Sequence, residues 1–204
     1  MSKSIKKAIT ISIIVIIVII AIISSFFIVK SILDKNIIEY VYETYSNKDI
    51  QNSLSSLNTM QNEIDDTNAI QDKLLLQIDG ETVLGVIKID KIGFEGLIYE
   101  NTSLETLAKG VGHFEHSPYF NGNVCLAAHN TNKFWAKLHT LQTGDKITYT
   151  SFLGTKNYYV VNITKIDETD WSLLQNSDEN ILTLITCVKN EKEKRLCVQA
   201  VELD

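Results

Sequence analysis

The run Leu182-Thr183-Leu184-Ile185-Thr186-Cys187 closes a short apolar stretch with a thiol, and Arg195 stands eight residues further on. The polar segment Val188 to Lys194 turns the chain back, and Arg195 opens a second apolar run, Leu196 to Leu203. Two adjacent strands with a thiol and a guanidinium at facing ends are expected from that pattern. A third run, Asn123-Val124-Cys125-Leu126-Ala127-Ala128, leads into His129. Only the thiolate is a strong nucleophile, so a reactive cysteine needs a cation or a base beside it. A histidine that titrates near neutrality meets that need and can also protonate a leaving amine. Arginine stays charged and presents a fixed fork of donors, suited to an oxyanion or a peptide carbonyl. Cys187, His129 and Arg195 are therefore the candidate catalytic set for thiol chemistry, with no cofactor and no metal expected.

Other reactive residues compete for that role. His113-Phe114-Glu115-His116 could begin a metal site, but its spacing matches no strong zinc pattern and no cysteine partner lies near it. Gly110, Gly112 and Pro118 around it indicate a loop. His139 is expected at a surface or boundary position, and Trp135 and Trp171 as packing anchors. Three cysteines cannot all pair within one chain. A Cys125–Cys197 disulfide would leave Cys187 free; equally, both could be small buried hydrophobes inside strands.

The elements that must position these residues are mainly strands. From about Gly80, short β-rich runs recur: Val83 to Ile92, Phe94 to Tyr99, Ile147 to Phe152, Tyr158 to Ile166, Ile181 to Cys187 and Leu196 to Leu203. Leu153-Gly154-Thr155-Lys156 reads as a hairpin turn. Leu104 to Ala108 forms a turn or two of helix, and Phe134, Leu138 and Leu141 mark a short amphipathic helix with Gly144 past its end. Many short strands with one or two short helices indicate a mostly β chain, closed or nearly closed into a barrel.

The N-terminal part differs. Ala8 to Val29 carries no charge; as a helix it would extend about 33 Å, enough to cross a bilayer core of about 30 Å. The run is longer than the apolar region of a cleavable signal, and Phe26-Phe27 stand where small residues would be wanted. An uncleaved transmembrane anchor is expected. Lys3, Lys6 and Lys7 precede it, whereas Asp34 and Glu39 dilute Lys30 and Lys35 beyond it, which favours a cytoplasmic N-terminus and an extracellular C-terminal domain. Residues 31–79 are polar and hold neither Gly nor Pro, with Ile37, Ile38, Val41 and Tyr45, then Leu54, Leu57 and Ile64, near helical spacing. The expected organisation is a cytoplasmic tip and anchor over 1–30, a helical juxtamembrane stalk over 31–79, and a catalytic domain over 80–204. The chain has 19 Lys and Arg against 25 Asp and Glu, with four of the lysines and no acid in residues 1–30. The remainder is acidic and shows no basic stripe, which argues against nucleic-acid binding.

From about residue 84 to the C-terminus the chain resembles a sortase, the membrane-anchored cysteine transpeptidase of Gram-positive bacteria. Thr183–Cys187 resembles that family's catalytic-cysteine strand, and Arg195-Leu196-Cys197-Val198-Gln199-Ala200 its arginine strand. Gly110-Val111-Gly112-His113, then Gly122-Asn123 leading to Ala128-His129, resembles the approach to its histidine. Phe134, Leu138, Leu141 and Gly144-Asp145 resemble the helix and turn that follow. Many members have Gly-His-Arg where this chain has Ala128-His129-Asn130, and the loop between Cys187 and Arg195 is short.

The resemblance implies an eight-stranded barrel and a two-step acyl transfer. Cys187 would attack the Thr–Gly carbonyl of an LPXTG-like sorting signal on a surface protein, forming a thioacyl enzyme. An amine from a peptidoglycan precursor or a pilin lysine would resolve it. His129 would act as acid and then base, and Arg195 would steady the oxyanion or the substrate. Two other classes stay open: a membrane-tethered cysteine hydrolase that uses water, and a non-enzymatic β-domain for adhesion or sensing. They differ in whether Cys187, His129 and Arg195 converge.

Overall fold

A computed structural model describes residues 3–46, 76–78 and 81–203. The N-terminal unit is one continuous helix, α1 (Lys3–Ser46). Its stretch Val15–Val41 is long and apolar enough to cross a membrane, with a mean hydropathy of 2.8, and its apolar side chains from Val15 to Leu33 are exposed. The helix runs on past residue 30 through the first third of the polar segment. Residues 47–75 of that segment, including Leu54, Leu57 and Ile64, lie outside the described residues, and Leu76–Ile78 near its end form a strand.

The second unit is built on nine strands: β1 (Leu76–Ile78), β2 (Glu81–Ile89), β3 (Phe94–Glu100), β4 (Val111–His113), β5 (Asn123–Ala127), β6 (Lys146–Ser151), β7 (Gly154–Asp167), β8 (Ile181–Val188) and β9 (Glu191–Glu202). They pair in the order β1-β2-β3-β4-β5-β8-β9-β7-β6, and β6 returns to β2. Strands β2 to β9 thus close an eight-stranded barrel, with β1 added along β2. Closure draws the β2 and β6 backbones close at Gly85, where a Cβ would collide with the Thr150 carbonyl oxygen. One helix, α2 (Leu104–Lys109), follows β3; the Ser103 side chain accepts from the Thr106 N–H and caps it.

Burial alternates along the first half of β7, from Gly154 to Val161, as it should for a strand with one face inward and one outward. In β5 every residue is buried, and in β8 the five residues from Leu182 to Thr186. Val124, Leu126, Leu182 and Leu184 face the barrel core. On the outer face Ile185, Ile166 and Cys197 form a second cluster, covered by Phe114, Leu173 and Leu174. The segment following β7 lies over that outer face, held where Asn123 Nδ2 donates to the Leu173 and Gln175 carbonyls.

Three local expectations change. The hairpin between β6 and β7 turns at Phe152-Leu153, because Ser151 pairs with Gly154; Gly154 opens a strand and is not the turn. The helix expected around Phe134 to Leu141 is a chain of tight turns ending in a single 3-10 turn at Leu138–Thr140. Its hydrogen bonds skip back three residues, Phe134 N to Thr131 O and Leu138 N to Trp135 O. The supposed loop from Val188 to Lys194 is mostly strand, since β9 begins at Glu191 and Asn190 supplies the left-handed turn residue at φ 64°. Arg195 consequently lies inside β9.

Candidate active site

Cys187 and Arg195 are direct cross-strand partners, beside a bulge where the β8–β9 register shifts between Cys187 and Val188. Strands β5 and β8 run parallel, with Ala127 opposite Ile185. Three bonds carry that pairing past the ladder. Ala128 N donates to the Ile185 carbonyl at 3.2 Å, Thr186 Oγ1 to the Ala128 carbonyl at 2.7 Å, and Asn130 Nδ2 to the Cys187 carbonyl at 2.6 Å. His129 is therefore held level with Cys187. Its own carbonyl accepts from the backbone N–H groups of Thr131 and Trp135, and Trp135 is fully buried. The expected packing role of Trp135 follows directly.

Cys187, His129 and Arg195 line one open cavity of about 360 Å³ on the outer face of the barrel. Ile185, Ala127 and Ile166 contribute to its lining, together with Leu104 and Leu107 of α2 and Trp171. Cys187 is the exposed cysteine of the three. Cys125 and Cys197 are buried and free, so the disulfide alternative gives way to the packed one. Burial pushes both thiols up to about 12, reinforced at Cys125 by Cys197 and at Cys197 by Asp170, which leaves them poor nucleophiles.

The Arg195 guanidinium is fixed by its surroundings. Nη1 donates to the Lys192 carbonyl at 2.7 Å and the Lys194 carbonyl at 3.0 Å, and Nη2 donates to Glu168 Oε2 at 2.7 Å. Of its five N–H donors, these bonds leave two for another acceptor. The rim beside it carries Asp167, Glu168 and Asp170. Neither this acidic rim nor the Asn130 clamp was apparent from the sequence. The acids sit in a polar stretch that resembles any solvated loop, and Asn130 acts on a carbonyl far along the chain. Trp171 departs from its expected packing role: it is 55% exposed and belongs to the cavity wall.

A second polar constellation lies elsewhere. His113 is completely buried, with Nδ1 3.2 Å from Glu100 Oε1 and Nε2 3.0 Å from Ser117 Oγ. Cys125 N donates to that Ser117 oxygen at 3.1 Å, and the imidazole stacks on Tyr119 at 4.7 Å. Burial pushes the Glu100 carboxyl up, but hydrogen bonding and charge from His113, aided by Tyr119 and the Asn101 N–H, hold it below the ordinary carboxylate range. The order serine, histidine, carboxylate has the connectivity of a catalytic triad. Ser117 is nevertheless only 8% exposed, with its oxygen already accepting a backbone N–H. The network anchors the loop between β4 and β5. His116, the other half of the imagined metal site, is exposed and apart from it.

Comparison with known proteins places this geometry. The family model described as Sortase domain matches residues 87–203, more than half of the chain. The chain belongs to the sortase family. Sortase D of Bacillus subtilis (strain 168) is 34% identical over 107 residues, covering 50% of this chain and 53% of that protein. Sortase A of Bacillus anthracis is 25% identical over 130 residues, 62% of each. The chain thus spans between about half and three-fifths of these curated relatives' lengths. Among solved structures, the pilus-related sortase C of Group B Streptococcus superposes with a TM-score of 0.58 at 26% identity, covering 63% of this chain and 70% of that one. Sortase A from Corynebacterium diphtheriae, a lid mutant, gives 0.57 at 27%, covering 61% and 72%. The sortase barrel expected from the sequence is the fold observed, and Cys187, His129 and Arg195 line one cavity on its outer wall.

Proposed function

We propose that this sortase is a membrane-anchored cysteine transpeptidase in which Cys187 is the nucleophile, His129 the proton carrier and Arg195 the oxyanion partner. The observation that carries it is that the one exposed cysteine shares a cavity with the other two, with Arg195 as its cross-strand partner. The sulfur attacks the Thr–Gly carbonyl of an LPXTG-like sorting signal, and the C–N bond breaks as His129 protonates the leaving glycine amine. The thioacyl carbonyl then receives an amine from a peptidoglycan precursor or a pilin lysine. A C–N bond forms, the C–S bond breaks, and the amine proton passes to His129 as the thiolate leaves. The two uncommitted donors of Arg195 suit the oxyanion of each tetrahedral intermediate. We assign residues 1–30 to a cytoplasmic tip and anchor, 31–79 to a juxtamembrane stalk and 80–204 to an extracellular catalytic domain.

The test supplies an LPXTG-like peptide with and without an amine and follows both products. Amine-dependent ligation that requires Cys187 is expected. Hydrolysis at full rate with no amine in any product would make the chain a hydrolase instead. Arg195→Lys keeps the charge but not the fork, so it should lower kcat more than it raises KM.

A further inference from the structure

Three carboxylates, Asp167, Glu168 and Asp170, rim the cavity beside Arg195, whereas a second cleft that reaches Cys187 is lined by Lys165 and Lys189. The three acids are spent differently. Asp167 Oδ1 accepts from Lys194 Nζ at 2.6 Å, and Asp170 Oδ1 from the Ser172 N–H at 3.0 Å. Glu168 Oε2 accepts from Arg195 Nη2 at 2.7 Å. Glu168 is itself fixed in place. Its N–H donates to the Glu193 carbonyl at 2.8 Å, one step past the Asp167–Lys194 pair that ends the β7–β9 ladder. Just beyond it, the Asp170 N–H closes a turn on the Asp167 carbonyl at 3.0 Å.

The other two bonds of the guanidinium hold it less completely. Both fall on Nη1, and both acceptors, the Lys192 and Lys194 carbonyls, belong to β9, the strand that carries Arg195. Glu168 adds a bond at a second nitrogen from the end of a different strand, β7. Together the three bonds consume both Nη1 hydrogens and one on Nη2. Nε–H and one Nη2–H remain, on nitrogens that share a carbon and can meet a single oxygen.

We propose that Glu168 is a positioning residue of this sortase, locking the Arg195 guanidinium so that its two remaining donors face the cavity where the oxyanion forms. This rests on Cys187 being the nucleophile and Arg195 the oxyanion partner. A carboxylate beside the guanidinium offsets part of the positive charge an oxyanion would feel. The contribution of Glu168 therefore comes from orientation, since donors already in place need not rearrange as charge develops. A glutamine at this position can accept the same bond through its amide oxygen. Orientation thus survives Glu168→Gln, and the negative charge does not.

The experiment uses the full chain in detergent with an LPXTG-like peptide. Single-turnover thioacyl formation is followed by mass spectrometry, beside steady-state kcat and donor KM. Glu168→Ala is expected to lower kcat and the thioacylation rate about tenfold, with donor KM changed by no more than about twofold. Glu168→Gln should stay within about threefold of the native rate, because its oxygen takes the same hydrogen bond. In an Arg195→Lys background there is no fork to orient, so adding Glu168→Ala should cost less than about twofold further. A native or faster rate in Glu168→Ala, an equal loss in the Gln and Ala variants, or an undiminished loss on top of Arg195→Lys would overturn the positioning role alone. Absence of any thioacyl adduct on Cys187 in the native chain would instead overturn the nucleophile reading beneath it.

Discussion

Two polar constellations in this barrel contain similar side chains in opposite conditions. Around His113 each polar partner is matched: Glu100 and Ser117 occupy the two ring nitrogens, a backbone N–H occupies the serine oxygen, and Tyr119 covers the ring face. Around Cys187 the thiol is exposed, an open cavity adjoins it, and Arg195 retains uncommitted donors. A buried polar group that has its hydrogen bonds rigidifies a fold and does little else. Chemistry needs a group with capacity left over and a route for substrate. Accessibility and unspent bonding, more than residue type, separate the candidate site from the buried clamp formed by His113, Glu100 and Ser117.

The contrast breaks most visibly at Cys187. Cys187→Ala is expected to abolish thioacyl adduct formation while changing stability by no more than about 0.5 kcal/mol, as for an exposed position. Cys125→Ala and Cys197→Ala should keep the adduct, and mass spectrometry locating it on either would sink the assignment. His129→Ala should slow both half-reactions by about 10²–10⁴-fold. Ser117→Ala should leave the reaction running. If it silenced the enzyme with stability intact, the buried triad would have to be reconsidered.

The clamp should respond in the opposite way. His113→Ala strands a partly buried carboxylate and a serine, at a cost of about 2–4 kcal/mol measured by denaturant unfolding. Asn130→Ala sharpens the comparison from the other side. It frees the Cys187 carbonyl from the histidine segment, so kcat should fall about tenfold through lost alignment, with donor KM and stability nearly unchanged. A fall in stability without a fall in kcat would make Asn130 merely structural. The smallest effect is in acid. Because the Glu100 carboxyl titrates lower in the folded chain than its ordinary value of 4.5, its contribution is complete above that value. It is lost as the pH falls through the lower folded one. Glu100→Gln should flatten that part of the stability–pH curve, and an unchanged curve would remove Glu100 from the clamp.

Much of the fold was legible because the signals were local. Runs such as Ile181 to Cys187 and Tyr158 to Ile166 carry strand composition, and the Ser103 cap and Gly110 bracket α2. Boundaries failed where polar residues sit in strands. Glu191 to Lys194 reads as loop, yet pairs with β7 and β8 because an edge of the barrel was available to it. Phe134 to Leu141 has helical spacing, but the chain there is tied back to the His129 carbonyl and tightens into three-residue turns.

By itself the sequence determined a long apolar helix, an acidic β-domain and the three residues of the candidate site, since hydropathy period, charge and strand-end chemistry are written in neighbouring residues. Only the tertiary structure decided which face of β8 carries Cys187. A strand buried on both sides loses the alternation that would mark its inner and outer residues, so both faces look alike in one dimension. Only it set His129 level with Cys187, through bonds between segments far apart in the chain, and only it divided the sulfur's surroundings into an acidic side and a basic one. Charges such as Glu168 and Lys189 acquire a common centre when β7 and β8, which they follow, pair on either side of β9.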